Sequence, residues 1–75
     1  MIAYILISLK HSDEKEIQEK LQKHKEVIDV HILFGEWDLM TKVEVSSPEE
    51  LGTFVMEKIR SLPDVKLTST LIVAK

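Results

Sequence analysis

Two apolar runs, Val27 to Phe34 and Leu39 to Val45, are separated only by Gly35-Glu36-Trp37-Asp38, and that gap fixes the middle of this chain. So short a connection has room for a hairpin and little else, so the two runs are predicted to be antiparallel strands. Ile2 to Lys10, rich in Ile and Leu and free of helix breakers, reads as a strand before them. It is apolar at Ala3, Ile5, Ile7 and Leu9 and also at Ile2, Tyr4 and Leu6. A strand apolar on both sides is expected to be covered on both sides. Val65 to Ala74 reads as the closing strand.

Helices fill the two intervals that remain. Ser12-Asp13-Glu14 opens the first, which runs to about Lys25, with Asp13 as cap and Glu16 three residues on. Its apolar stripe is narrow (Ile17, Leu21, then Val27 or Ile28), and Glu16–Lys20 and Glu19–Lys23 stand at the favourable i, i+4 spacing. That is a surface helix with one face on a sheet. Ser47-Pro48-Glu49-Glu50 places Ser at the N-cap, Pro at the first helical position and Glu at the third. Leu51, Phe54 or Val55, Ile59 and Leu62 carry the 3.6-residue period, and Pro63 stops it. Gly52, inside this helix, costs about 1 kcal/mol relative to Ala, which close approach of a neighbouring backbone would account for. The order β-α-β-β-α-β is an α+β, ferredoxin-like arrangement, a four-stranded antiparallel sheet with both helices on one face. Residues 1–75 read as one domain.

The other face of that sheet must meet water or a partner. A single core below roughly 70–80 residues rarely supplies more than about 3–5 kcal/mol, and disulfides, metals or oligomerisation usually supplement it. The chain has no cysteine, which leaves oligomerisation as the default. Apolar residues on the uncovered face point the same way, and the expected form is a dimer with facing sheets. With a net charge of −3 and basic residues mixed among acids, no basic stripe for direct nucleic-acid binding stands out. No run is long enough to span a bilayer and no signal-like segment opens the chain, so a cytoplasmic location without membrane partners is expected. Many Glu and Lys with no Asn give a thermophile-like bias. His11, His24 and His31 show no ligand spacing. With no cysteine nucleophile, Gly-rich phosphate loop or paired carboxylates, no catalytic residue, metal or cofactor is expected.

Gly35-Glu36-Trp37-Asp38-Leu39 resembles the Gly-x-aromatic-Asp element between strands 2 and 3 of the Lrp/AsnC effector-binding domain. Ser47-Pro48-Glu49-Glu50-Leu51 with Phe54-Val55 resembles that family's second helix. Leu62-Pro63-Asp64-Val65 followed by Thr68-Ser69-Thr70-Leu71-Ile72-Val73 resembles its closing strand with a Thr-x-Thr element. The similarity runs in register over essentially the whole chain. The family's N-terminal helix-turn-helix has no counterpart in it, so the resemblance is to the stand-alone versions of the domain.

That resemblance implies an amino-acid-sensing module of the dimeric α/β barrel type, acting through assembly rather than by direct DNA binding. Partners would be a second copy, higher multimers of dimers and possibly a full-length Lrp/AsnC regulator. Effector-binding residues would be Gly35, Glu36, Trp37, Asp38, Thr68, Ser69 and Thr70. In such a site Gly35 would let backbone N–H groups approach the ligand, Asp38 would pair with an ammonium, and the threonines would offer hydroxyls to a carboxylate. Asp38→Ala is then expected to weaken effector binding and leave the fold intact. Tyr4, Leu6, Ile32, Phe34 and Leu71 would form the oligomer interface. Alternative functions are an adaptor that joins full-length regulators without sensing, or a small cofactor-free oxygenase or isomerase, which would place His31 and Tyr4 in a deep pocket inside each protomer.

Overall fold

A computed structural model describes all residues, Met1–Lys75. Strand β1 (Ile2–Leu9) is followed by helix α1 (Glu14–Gln22), strands β2 (Val27–Ile32) and β3 (Leu39–Glu44), helix α2 (Pro48–Phe54) with a π-helical continuation (Val55–Ile59), and strand β4 (Val65–Ile72). The sheet is antiparallel throughout, in the order β2-β3-β1-β4. This is the predicted ferredoxin-like arrangement.

Alternation along β1 separates the two faces of the sheet. Ala3, Ile5 and Ile7 are fully buried and pair with Val43, Thr41 and Leu39 of β3, which are buried to the same degree. Ile17 and Leu21 of α1 and Leu51, Phe54, Val55 and Ile59 of the second helical segment close over this face in one cluster. Each aliphatic side chain so buried contributes about 1.5–3 kcal/mol. The ring of His24 meets Phe54 edge-on at 5.8 Å, and Gln18 donates to the Val30 carbonyl at 2.8 Å, which ties α1 to the second helix and to edge strand β2.

Several local expectations need correction. Ser47 caps α2 as predicted, its hydroxyl accepting from Glu50 N–H at 3.1 Å. Glu50, however, reaches back to Ser46 rather than to the cap residue, accepting from the Ser46 amide at 3.2 Å and from its hydroxyl. These two bonds hold the Glu50 carboxyl below the usual carboxylate range. Asp13 occupies the N-cap of α1 but makes no side-chain capping bond, because its carboxyl lies beside Asp64 instead. Helix α1 ends at Gln22, short of Lys25, and of the two charge pairs only Glu16–Lys20 closes, at 3.5 Å. Gly52 is exposed with open space where a Cβ would sit, so no close backbone approach within the chain explains it.

The second helical segment buries Phe54 and Val55 together, where a regular 3.6-residue period offers one or the other. Arg60 N–H bonds back five residues to the Val55 carbonyl at 2.8 Å. The widened turn lets Leu51, Phe54, Val55 and Ile59 all face the sheet. On β2, Val27 opposes Val43 and Asp29 opposes Lys42. Ile28 is therefore the extra residue of a β-bulge, which shifts the alternation and leaves Ile28 exposed.

Candidate functional site

The loop between β2 and β3 starts earlier than predicted, because β2 stops at Ile32. Leu33 N–H donates to the Asp38 carbonyl at 2.9 Å and closes the loop at its neck. Gly35 has φ of +133°, a conformation that L side chains rarely adopt. Phe34 is fully exposed at the loop tip, Glu36 is exposed, and Trp37 is half-buried.

Asp38 anchors the loop to the end of β1. Its N–H donates to the Ile7 carbonyl at 2.9 Å, and its carboxylate Oδ2 accepts from Leu9 N–H at 2.7 Å. That second bond lies where the β1–β4 register shifts, so the carboxylate serves an amide beside an irregular stretch of ladder. Asp38 thus ties the hairpin connection to the central strand, a structural role beside the effector role that the resemblance implies.

The Thr-x-Thr element splits across the sheet. Thr68 and Thr70 oppose Ile7 and Ile5 and share the helix side, whereas Ser69 opposes Leu6 on the open side. Asp38 and Thr68 flank β1 on opposite sides, so about two strand spacings, roughly 10 Å, separate their backbones. A free amino acid carries its ammonium and carboxylate on one carbon. Within one chain, then, Asp38 and Thr68 are not assembled to grip both at once.

The open face carries Ile2, Tyr4 and Leu6 of β1, Met40 of β3 and Leu67, Leu71 and the following Val73 along β4. Leu67, Leu71 and Val73 are 58%, 52% and 42% exposed. Asp29, His31, Lys42 and Glu44 make its β2 side polar, and Lys42 Nζ stands 5.8 Å above the Tyr4 ring. Tyr4, Leu6 and Leu71 thus share one apolar surface. Ile32 does not: it opposes Leu39 at the rim of the helix side, since the bulge at Ile28 sets its phase. Phe34 lies on the loop, outside the sheet. His31 and Tyr4 lie on the open surface with β3 between their strands, rather than in the pocket the enzyme alternative calls for.

The fold does gather one cluster that linear spacing hides. His11 Nδ1 lies 2.8 Å from Asp64 Oδ1 although 53 positions separate the residues, and these two with Asp13 bring their polar atoms within 4.8 Å of one another. The hydrogen bond from His11 holds the Asp64 carboxyl below its ordinary range. Hydrogen bonding to Asp64 holds Asp13 above its own. A His11–Asp64 hydrogen bond joining the β1–α1 and α2–β4 connections accounts for this arrangement. Sequence reasoning missed it because the partners sit on loops that only the crossovers bring together.

The profile of the Lrp/AsnC ligand binding domain matches residues 2–75. The chain belongs to the Lrp/AsnC family. The HTH-type transcriptional regulator FL11 of Pyrococcus horikoshii is 35% identical over 75 residues, covering 100% of this chain and 49% of that protein. An uncharacterised HTH-type regulator of Pyrococcus furiosus is 41% identical over 59 residues, 79% of this chain and 39% of the relative. The chain thus spans half or less of the length of these Lrp/AsnC relatives. Among solved structures, FFRP-DM1 superimposes with a TM-score of 0.91 at 39% identity, with 96% of each chain covered. The L-Met complex of a transcriptional regulator from Neisseria meningitidis does so at 0.88 and 25% identity, over 99% of this chain and 49% of that one. This Lrp/AsnC domain has no helix long and apolar enough to cross a membrane.

Proposed function

We propose that this domain senses an amino acid, or a closely related small effector, and transmits it through self-assembly as part of Lrp/AsnC-type transcriptional control. The observation that carries the reading is the apolar open face formed by Tyr4, Leu6, Leu67 and Leu71. It is contiguous across β1 and β4, and nothing in the chain covers it. A second copy, laid sheet to sheet, would cover it and form the dimeric α/β barrel. The Gly35–Asp38 loop, with Phe34 standing free at its tip, is suited to further contacts between dimers. An effector lodged at such contacts acts only through its differential affinity for the assembled and dissociated states. An effector grip divided between chains also fits the separation of Asp38 from Thr68 within one chain. The L-Met complex of the related Neisseria regulator supports an amino acid as the effector class.

Light scattering on the purified chain, with and without each of the twenty amino acids, tests the proposal. A multimer whose mass or stability shifts with one amino acid is the expected result. A fixed oligomer indifferent to all twenty would favour the adaptor role, in which the domain joins full-length regulators without sensing. A monomer would overturn the facing-sheet arrangement.

A further inference from the structure

Two breaks in regular structure border the same groove. The first is the π-helical turn Val55–Ile59, after which Arg60 follows directly, bonded through its N–H to the Val55 carbonyl. Such turns occur mostly as single insertions and frequently at functional sites. The second is on β4, where Leu67 opposes Ser8 while Val65 opposes Leu9. Lys66 is therefore the extra residue of a β-bulge, an irregularity that re-aims a side chain. Arg60 and Lys66 line one groove of about 300 Å³, together with Val65, Leu67 and Thr68.

The chemistry of that lining is one-sided. It holds a guanidinium, an ammonium and a hydroxyl, and no carboxylate. The His11–Asp64 contact and the Lys20–Glu16 ion pair engage neither Arg60 nor Lys66. Two cations that line one groove without an ion-pair partner, in a chain of net charge −3, leave a local positive potential that a small anion would satisfy. The guanidinium fork matches a carboxylate in two parallel hydrogen bonds, Lys66 adds a point charge, and the Thr68 hydroxyl can donate to the same oxygens. Val65 and Leu67 give the groove an apolar wall. Its volume is at the small end of ligand sites.

We propose that this groove is a carboxylate site for a small molecule, held by Arg60, Lys66 and Thr68. The carboxylate comes from an amino acid if the sensing function holds, and only that choice of source rests on it. The groove gives the carboxylate a holder other than the Gly35–Asp38 loop, on the far side of β1.

The test is a titration of the whole chain followed in TROSY amide spectra, first with acetate and then with each amino acid. It is repeated on Arg60→Gln/Lys66→Gln and on Thr68→Val. Saturable shifts at Lys66, Leu67 and Thr68 are expected. The double variant should weaken binding at least tenfold with its circular dichroism unchanged, since both cations are exposed. Thr68→Val should weaken it less. Acetate that saturates the groove while no amino acid binds would uphold the carboxylate site and overturn amino-acid sensing. An amino acid that changes assembly yet binds the double variant equally well would do the reverse. Absence of saturable shifts at these residues with every probe would overturn the groove.

Discussion

The two faces of the sheet are built from the same strands and end in different states. On the helix side, Ala3, Ile5, Ile7, Leu39 and Val43 are fully buried, and two helical segments close over them. On the open side, Leu67, Leu71 and Val73 remain about half exposed and no element of the chain covers them. One chain therefore completes one face and leaves the other uncovered. Under the facing-sheet dimer proposed above, the difference separates stability from association: changes on the closed face act on folding, and changes on the open face act on assembly.

The sharpest way to break that division is a matched pair of truncations. Ile7→Ala empties a fully buried position and is expected to cost about 2–5 kcal/mol, read as a fall in the urea midpoint. Leu71→Ala on the open face should leave the folded signal of the subunit nearly intact and lower the mass measured by light scattering at dilute concentration. If Leu71→Ala destabilises as much as Ile7→Ala, with no change of mass, the division between faces is wrong.

Asp38 sits where the two faces meet at the end of β1. Asp38→Ala removes the charged acceptor of the Leu9 N–H and is expected to cost about 1.5–3 kcal/mol, seen as a lowered thermal midpoint before any effector is added. A variant of unchanged stability with lost effector affinity would restore the purely ligand-binding role.

A smaller effect of opposite sign is expected under the helices. Thr41 is fully buried and its hydroxyl finds no hydrogen-bond partner. Thr41→Val keeps the shape and removes the unpaired group, which should stabilise by about 1 kcal/mol, measured as a rise in the denaturant midpoint at unchanged slope.

The smallest effects are at the carboxylates of the loops and helix ends. Glu50 and Asp64 have folded-state pKa values below their ordinary ones, through bonds from Ser46 and His11 respectively. Their contribution is present above the unfolded carboxylate pKa values of about 4 and is lost as pH falls through the lower folded values. Asp13 is shifted upward, so its contribution has the opposite sign: present at low pH and lost as pH rises through its folded value. Glu50→Gln should therefore flatten the acid limb of the stability curve, and Asp13→Asn should steepen it. Thermal midpoints between pH 3 and pH 6, with the conditions set from those reference values, measure both.

The strand order, the hairpin, the Ser47 cap and most of the core were legible in the residues, because local propensity and periodicity agree along nearly the whole chain. The apolar run from Ile2 announced a strand, and Ser47-Pro48-Glu49-Glu50 announced a helix start whatever surrounded it. What periodicity could not supply was phase after an inserted residue. Ile28 and Lys66 each shift a ladder by one, which moved Ile32 to the helix side and set Lys66 at the groove, and a bulge has no reliable mark in the sequence.

The sequence by itself determined the order of elements, the start of the second helix and the family to which the chain belongs, since each follows from patterns within a few residues or from their succession. Only the tertiary structure decided that Asp38 bonds Leu9, that His11 meets Asp64, and that Thr68 stands beside Arg60 rather than beside Asp38. Those are meetings between residues far apart in the chain, and they depend on register, on which a single inserted residue acts more strongly than any local preference.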